Sequence, residues 1–443
     1  MTTYYIKTGG NDGADGLSDA NAWATVGKVN GGSYSPGDNI YFNRGNTWTD
    51  AEIRLTWSGS EGSPITFGAY GTGARPKLSA LNNPGFYSPL AVQQSYLTID
   101  GFELECSGNY YAGMHVALAY SLINDCVCHG YDNNGISLEN SSHDNTVSSC
   151  VAYSNGQHGI FVEGGAGTAN NIVEYCEAYN NGISSSADHG IYLGHPSSGC
   201  VARYSVAYDN ASGGIKNNAG VDAWIIGNRC YGNGSAGIIL DTESGYPCDG
   251  TIVAYNLCYD NAVGLYLLGT AADPVEACFI HNNHFVNNSQ NLTNGQVRFL
   301  YDYQGGSAGN TFRNNILYYD NALGAQSYLL RFANAADVAD QDFDYNTYWF
   351  EGRSPSGVII DDGAERTFAY WQATSSQDAN GQQADPLFLA EYTNLHLKSA
   401  SPCIEAGTPI AGLTVDCDGI PLGRGTNPDI GAFETLKGGP RGL

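Results

Sequence analysis

A chain of 443 residues would ordinarily divide into about three domains,, but a repeat protein grows its core along one axis and escapes that expectation. Gly numbers 58 and Tyr 31 while only 14% of residues are charged, so turns and aromatic surface stand where helical Lys/Glu faces would be; no long i, i+3, i+4 apolar stripe appears, and the chain reads as all-β. The net charge of −26 excludes a nucleic acid or anionic membrane held by a basic patch,. It suits a solvated acidic surface, or carboxylates that bind Ca²⁺.

The start, Met1-Thr2-Thr3-Tyr4-Tyr5-Ile6, has neither a charged nor an apolar leader region,. Two expectations follow: a secreted or cell-surface protein whose signal peptide has been removed, or a virion protein assembled in the cytosol. No run of about 18 apolar residues exists, so no transmembrane span is expected,. Residues 1–36 read as an N-terminal cap and first strand. Gly37-Asp38-Asn39-Ile40-Tyr41-Phe42 and Pro64-Ile65-Thr66-Phe67 then look like the first coils of a solenoid, which must be capped because its ends expose core,.

Two motifs recur along the middle of the chain. A Gly followed by an aliphatic residue appears at Gly135-Ile136, Gly159-Ile160, Gly190-Ile191, Gly214-Ile215, Gly237-Ile238 and Gly264-Leu265, in steps of 24, 31, 24, 23 and 27,. Alongside it run Ala152-Tyr153-Ser154-Asn155, Ala178-Tyr179-Asn180-Asn181, Ala207-Tyr208-Asp209-Asn210, Cys230-Tyr231-Gly232-Asn233 and Cys258-Tyr259-Asp260-Asn261. The motif continues more loosely at Phe285-Val286-Asn287-Asn288 and Tyr318-Tyr319-Asp320-Asn321. A shared period of this length, carried by Asn, Gly, Tyr and β-branched residues, predicts coils of short strands with Ala or Cys pointing in and Tyr out. The Asn would sit at a bend and bond to its counterpart one coil away, satisfying buried backbone groups. The β-helix is expected over 37–371, most regular from Leu97 to Tyr348, with a C-terminal segment at 372–443 that packs on or caps it.

Twelve Cys residues invite a disulfide framework, but the repeat puts Cys126, Cys150 and Cys176 in one inward column and Cys128, Cys230 and Cys258 in the Ala column, where they read as small core residues. Cys403 and Cys417 lie outside the repeat and are open to pairing with each other.

The Asn and Gly-Ile repeats resemble those of the pectate-lyase-like superfamily of right-handed parallel β-helices. The opening Gly10-Asn11-Asp12-Gly13-Ala14-Asp15-Gly16 … Ala22-Trp23-Ala24-Thr25 is similar to the N-terminal segment of many secreted members. The tail Asp385-Pro386-Leu387-Phe388 … Ser401-Pro402-Cys403-Ile404-Glu405-Ala406-Gly407 … Asp429-Ile430-Gly431 is similar to a segment that recurs in bacterial β-helix proteins. This resemblance implies a single-stranded right-handed parallel β-helix with substrate along one outward face. It leaves the reaction open, because lyases, hydrolases, epimerases and phage depolymerases share the fold.

The Gly-Ile register lists what that face would carry. Two residues past each Gly the column reads Ser137, Phe161, Tyr192, Lys216, Ile239 and Tyr266; two further on it reads Glu139, Glu163, Gly194, Asn218, Asp241 and Leu268. Just before the Gly it reads Asn134, His158, His189, Gly213, Ala236 and Val263, and His115 joins from Gly113-Met114-His115. The 31-residue step adds Ser184-Ser185-Ser186-Ala187-Asp188 as a loop beside His189,. Lys216 draws notice because Lys and Arg occur between residues 100 and 300 only at Arg203, Lys216, Arg229 and Arg298.

Three functions are compatible with this face: a Ca²⁺-assisted lyase acting on a uronate polysaccharide, a glycoside hydrolase, and a non-catalytic glycan-binding or phage-adhesin β-helix. In the first, Lys216, His189, Tyr192, His158 and Glu163 are the catalytic candidates, Phe161, Asn218, Asp188, Tyr266 and His115 contact sugar, and Glu139, Glu163 or Asp241 hold Ca²⁺. In the second, two carboxylates flank the scissile bond, about 5–5.5 Å apart for retention or about 6.5–9.5 Å for inversion. Glu139 with Glu163 fits the closer spacing, and Asp188 with Glu163 is a further pair. Glu163 and Asp241, three coils apart, would be separated by about 14 Å. The expected partner is a polysaccharide, with the chain a monomer or a trimer.

Overall fold

The computed structural model describes residues 1–49, 52–80, 83–106, 110–183, 188–288, 295–301, 307–320, 328–332, 336–352, 358–361, 364–390, 393–422 and 425–435. They form two compact units, Met1–Ser212 and Gly213–Leu443. Each is a stack of coils built from three parallel sheets, as the repeat predicts.

In the first unit the strand Thr3–Ile6 pairs with Asn39–Asn43, so the cap region already supplies a rung of the first sheet. Later rungs of that sheet include Leu122–Asn124, Thr146–Ser148, Ile172–Glu174 and Val201–Arg203. The second sheet carries the Ala-Tyr motif: Cys128, Ala152, Ala178 and Ala207 are register partners and fully buried. Their outward neighbours stack, Tyr153 on Tyr179 with centroids 5.0 Å apart and Tyr179 on Tyr208 at 4.9 Å. The residues that follow, Ser154, Asn180 and Asp209, take φ of 51–53°, the left-handed bend that short polar side chains tolerate best.

The Asn closing each motif is fully inside and hands a hydrogen bond to the next coil. Asn155 Nδ2 donates to Asn181 Oδ1 at 3.0 Å, and Asn181 Nδ2 to Asn210 Oδ1 at 3.0 Å. The same Oδ1 atoms also accept the backbone N–H of Asn155 and Asn181. The Gly of the second motif is explained by this ladder. A Cβ on Gly159 would lie 2.7 Å from Asn181 Nδ2, 2.7 Å from the Gly190 carbonyl and 3.2 Å from the Ala178 Cβ. Gly, Asn and Ala share one period because they touch.

In the second unit the ladder resumes as Asn233, Asn261 and Asn288, ending on Gln296. A parallel ladder, which the sequence reading did not separate out, runs Asn228, Asn256, Asn283, Asn315 and Asn346 at the corner before the second sheet. It stops at Asp378, whose carboxylate takes Asn346 Nδ2 at 2.9 Å, the Tyr348 hydroxyl at 2.6 Å and Trp371 Nε1 at 3.0 Å. Burial pushes that carboxyl up to about 6 against these donors. Tyr318 pairs with Val286, so it occupies the Tyr column and not the Ala column in which the motif Tyr318-Tyr319-Asp320-Asn321 would put it; Leu317 is the inward residue. Asn321 lies outside the described residues.

All twelve thiols are free and buried, so Cys403 and Cys417 are not bridged. Cys417 Sγ lies 3.7 Å from the Gly227 carbonyl and Cys403 Sγ 3.4 Å from Thr347 Oγ1. In the first unit Cys126, Cys150 and Cys176 hold the corner that Asn holds in the second, each directing its thiol at a backbone carbonyl 3.2–3.3 Å away.

The C-terminal segment covers the second unit's second sheet. Phe388, Leu395, Leu397, Ile430 and Phe433 pack with Tyr255, Leu257, Val286, Ile316 and Tyr318. This is why Tyr318 is buried where other Tyr of its column are not. Here Glu434 is pushed up to about 7, by burial first and then by the charges of Asp429 and Asp416. A carboxyl raised above its ordinary value takes up a proton on folding, so its contribution declines as pH climbs from the usual carboxylate range through about 7,. The melting temperature of Glu434→Gln minus that of the wild type should therefore grow with pH over that window. A constant difference would show that Glu434 titrates normally.

Candidate active face

The Gly-Ile strands build the third sheet, and in the first unit its outward row is as the register requires: His115, Ser137, Phe161 and Tyr192 are successive Cα partners. Residues 22 to 31 apart in sequence thus become neighbours at the inter-strand spacing of about 4.8 Å.

Beside this row His158 and His189 stack with centroids 5.4 Å apart and planes 2° off parallel. His158 also stacks on Phe161 at 5.3 Å and on Tyr192 at 4.7 Å. The His189 backbone N–H donates to His158 Nδ1 at 3.0 Å. With that lone pair occupied, a neutral His158 carries its proton on Nε2, which points to Asp188 Oδ1 at 3.5 Å,. Asp188 thus lies beside His158; the rest of the expected loop, residues 184–187, falls outside the described residues.

Glu139 is a buried hub. Ser137 Oγ donates to its Oε1 at 2.7 Å and His115 Nε2 meets its Oε2 at 3.0 Å. Burial pushes this carboxyl up, but the His115 and Ser137 hydrogen bonds, the charge on His115 and a bond from Tyr111 outweigh that and hold it below the ordinary range. Tyr111 is itself pushed up to about 12, by burial and then by the charges of Glu139 and Glu163. Glu163 sits one strand along from Glu139 and accepts the Asn140 N–H at 3.2 Å. Tyr111 and Ser137 were not among the sequence candidates: Ser137 was in the right column, and Tyr111 carries no repeat signal.

In the second unit the row reads Lys216, Ile239, Tyr266, Arg298 and Arg331. Lys216 Nζ lies 2.6 Å from Asp241 Oδ2, and Asp241 Oδ1 accepts the Thr242 N–H at 2.8 Å. Asn218 is the register partner of Asp241 and donates to Glu243 Oε2 at 3.2 Å. Among the described residues no three His, Cys, Asp or Glu side chains converge as a metal site. Of the calcium candidates, Glu139 bonds His115 and Ser137, Glu163 accepts the Asn140 N–H, and Asp241 pairs with Lys216.

An open hollow of about 660 Å³ lies elsewhere in the first unit, lined by Thr8, Thr25, Trp48, Glu52 and Arg54. Its charged groups pair with each other, Arg54 Nε to Glu52 Oε1 at 2.5 Å. No helix among the described residues is long and apolar enough to cross a membrane.

Comparison with known proteins agrees with this architecture. Residues 4–169 match the family model described as "Pel9A-like, right handed beta helix region", and residues 166–315 match that of the periplasmic copper-binding protein NosD. Among solved structures, the chain is similar to pectate lyase Pel9A, at 20% identity over 98% of this chain and 97% of that one, with a TM-score of 0.56. It is also similar to XylC in complex with xylose, at 11% identity over 98% and 99%, TM-score 0.57. A mannuronic acid specific polysaccharide family 6 lyase from human gut microbiota matches at 15% identity over 80% and 87%, TM-score 0.51. A search of curated proteins gave no match. The chain is thus a right-handed parallel β-helix similar in fold to these proteins; at these identities the solved structures carry over the fold alone.

Proposed function

We propose that this chain is a polysaccharide-degrading enzyme that cleaves an acidic, uronate-containing polymer by β-elimination. The observation that supports this most is the outward row His115, Ser137, Phe161 and Tyr192 with the His158–His189 stack beside it. Proton-transfer groups, hydroxyls and aromatic faces gather on one strip, in a fold whose similar solved structures include a pectate lyase and a mannuronate-specific lyase.

In β-elimination a base takes the C5 proton of a uronate. The C5–H electrons form the C4=C5 double bond, the C4–O4 bond breaks, and the leaving oxygen gains a proton. His189 and Tyr192 are the groups assigned to proton transfer on the first unit's row; Lys216, on the second unit's row, is a separate candidate for the same role, to be tested by itself. His158, whose Nδ1 holds the His189 backbone, is a positioning residue. Glu139, held ionised among its donors, fixes His115 in the same way. No step is assigned to calcium.

One observation favours hydrolysis as a second reading: Glu139 and Glu163 stand one strand apart, close to the separation of about 5–5.5 Å that suits retaining glycosidases. The two readings differ in their products. Incubation with polygalacturonate, polymannuronate and neutral polysaccharides should yield ultraviolet-absorbing unsaturated ends from the acidic polymers. New reducing ends without that absorbance would replace elimination by hydrolysis. Binding with neither signal would make the chain a glycan-binding β-helix.

A further inference from the structure

One ionisable side chain of the second unit lies under the C-terminal segment and takes no part in the proposed chemistry. His284 sits on the outward row of the second sheet, between its register partners Leu257 and Ile316. It is 0% exposed, and among the described residues neither ring nitrogen has a hydrogen-bond partner. The segment covers it: Phe388 and Phe433 meet the imidazole at centroid distances of 5.4 and 5.3 Å. The Gly431 backbone closes over the ring so tightly that a Cβ there would lie 2.0 Å from Nε2.

Apolar residues such as Leu257 and Ile316 hold a covering segment at any pH. An imidazole in the same row does so only while neutral, because a charged ring would be buried with no acceptor at either nitrogen. The charged groups around it come from the segment and from one coil residue. His396 stacks on Phe433 with centroids 4.0 Å apart and bonds Asp418 at 2.7 Å, and Asp418 also accepts Arg229, which lies over Phe433. Asp416, Asp429 and Glu434 flank Phe433 in the segment, and the coils add the phenols Tyr255 and Tyr318. Burial, and after it the charge on His396, pulls the His284 imidazole down to about 3. Opening therefore takes up a proton: closure is unaffected above the ordinary imidazole range and weakens as pH falls from there toward about 3,. Asp416, Asp429 and Glu434, which burial raises, act in the opposite direction.

We propose that His284 and the cover formed by Phe388, Gly431 and Phe433 are an acid-sensitive clasp, which holds the C-terminal segment on the second sheet while the imidazole is neutral and releases it once the ring takes a proton. Release uncovers the apolar row around Leu257 and Ile316 and the buried Tyr318. The clasp goes beyond the reading of the chain as a polysaccharide-degrading enzyme and stands or falls separately from it.

Thiols report on the clasp directly. Cys403 and Cys417 belong to the same buried cluster as Phe433, whereas Cys230 and Cys258 are register partners buried inside the coils. The full chain is labelled over a range of acid pH with a pyridyl disulfide, which reacts with thiols in acid. The modified peptides are located by mass, and each rate is referred to that of the unfolded chain at the same pH. Relative to His284→Leu, labelling of Cys403 and Cys417 in the wild type is expected to quicken by roughly tenfold for each pH unit below about 6, with Cys230 and Cys258 still protected. His284→Phe keeps a ring that cannot titrate, and it decides the matter if the leucine variant does not fold. Equal profiles in the wild type and the folded variant overturn the clasp. So does a wild type whose segment thiols stay protected throughout, or one in which all four thiols react together, since that is unfolding of the whole unit.

Discussion

Lys216→Ala is expected to abolish turnover of the acidic polymer, by at least about 10²-fold, while the β-helix remains folded. Lys216 is a lone ammonium on an outward row whose next member is the buried Ile239. The side chains of Lys216 and its partner Asp241 are 15% and 22% exposed, so the pair is largely shielded and loss of the ammonium should lower stability by about 1–3 kcal/mol. A surface ion pair kept only for solubility predicts the opposite: intact turnover and an unaltered melt. Lys216→Ala should therefore be followed by the absorbance of unsaturated products alongside circular dichroism melting. Undiminished turnover takes Lys216 out of the mechanism and leaves His189 and Tyr192 to be tested in the same way.

The second large effect concerns stability. Asn256→Ala should cost about 3–5 kcal/mol, far more than a surface Asn. Asn256 Oδ1 accepts both the backbone N–H and the side-chain amide of Asn228, at 2.9 and 3.0 Å. Its own amide donates to the Ile225 carbonyl at 2.7 Å and to Asn283 Oδ1 at 3.0 Å. The residue is fully buried, so alanine strands a donor and an acceptor where water does not reach, at about 1–3 kcal/mol for each. Denaturant unfolding and amide exchange at Asn228 read this directly. A loss below about 1 kcal/mol would show that the ladder is not a principal source of stability.

These two cases mark what was legible in the sequence. The coil register could be read because its markers are in contact: the Gly gives room for the Asn amide and the small Ala or Cys of the neighbouring coil, so all three must recur together. Once the register was known, the rows containing His115, Phe161 and Tyr192, or Lys216 and Tyr266, followed from counting. Reading failed where a marker changed identity. Gln296 stands where a Gly would be, since Val297 pairs with Leu265, and Arg298 and Arg331 went unplaced in consequence. Tyr318 was assigned one position off because a run of two tyrosines offers two registers. The hydrogen-bond hub on Glu139 depends on rotamers and burial, and Tyr111 reaches it from a stretch without the repeat.

The buried thiol columns have a consequence for how the molecule meets its surroundings. With every sulfur reduced and filling core, the folded protein draws no stability from covalent cross-links, so oxidising and reducing milieus are equivalent to it,. The exposure comes during folding, when thiols that belong in vertical register can join across the wrong coils. A dozen such groups make the unfolded chain, and not the finished helix, the redox-sensitive species.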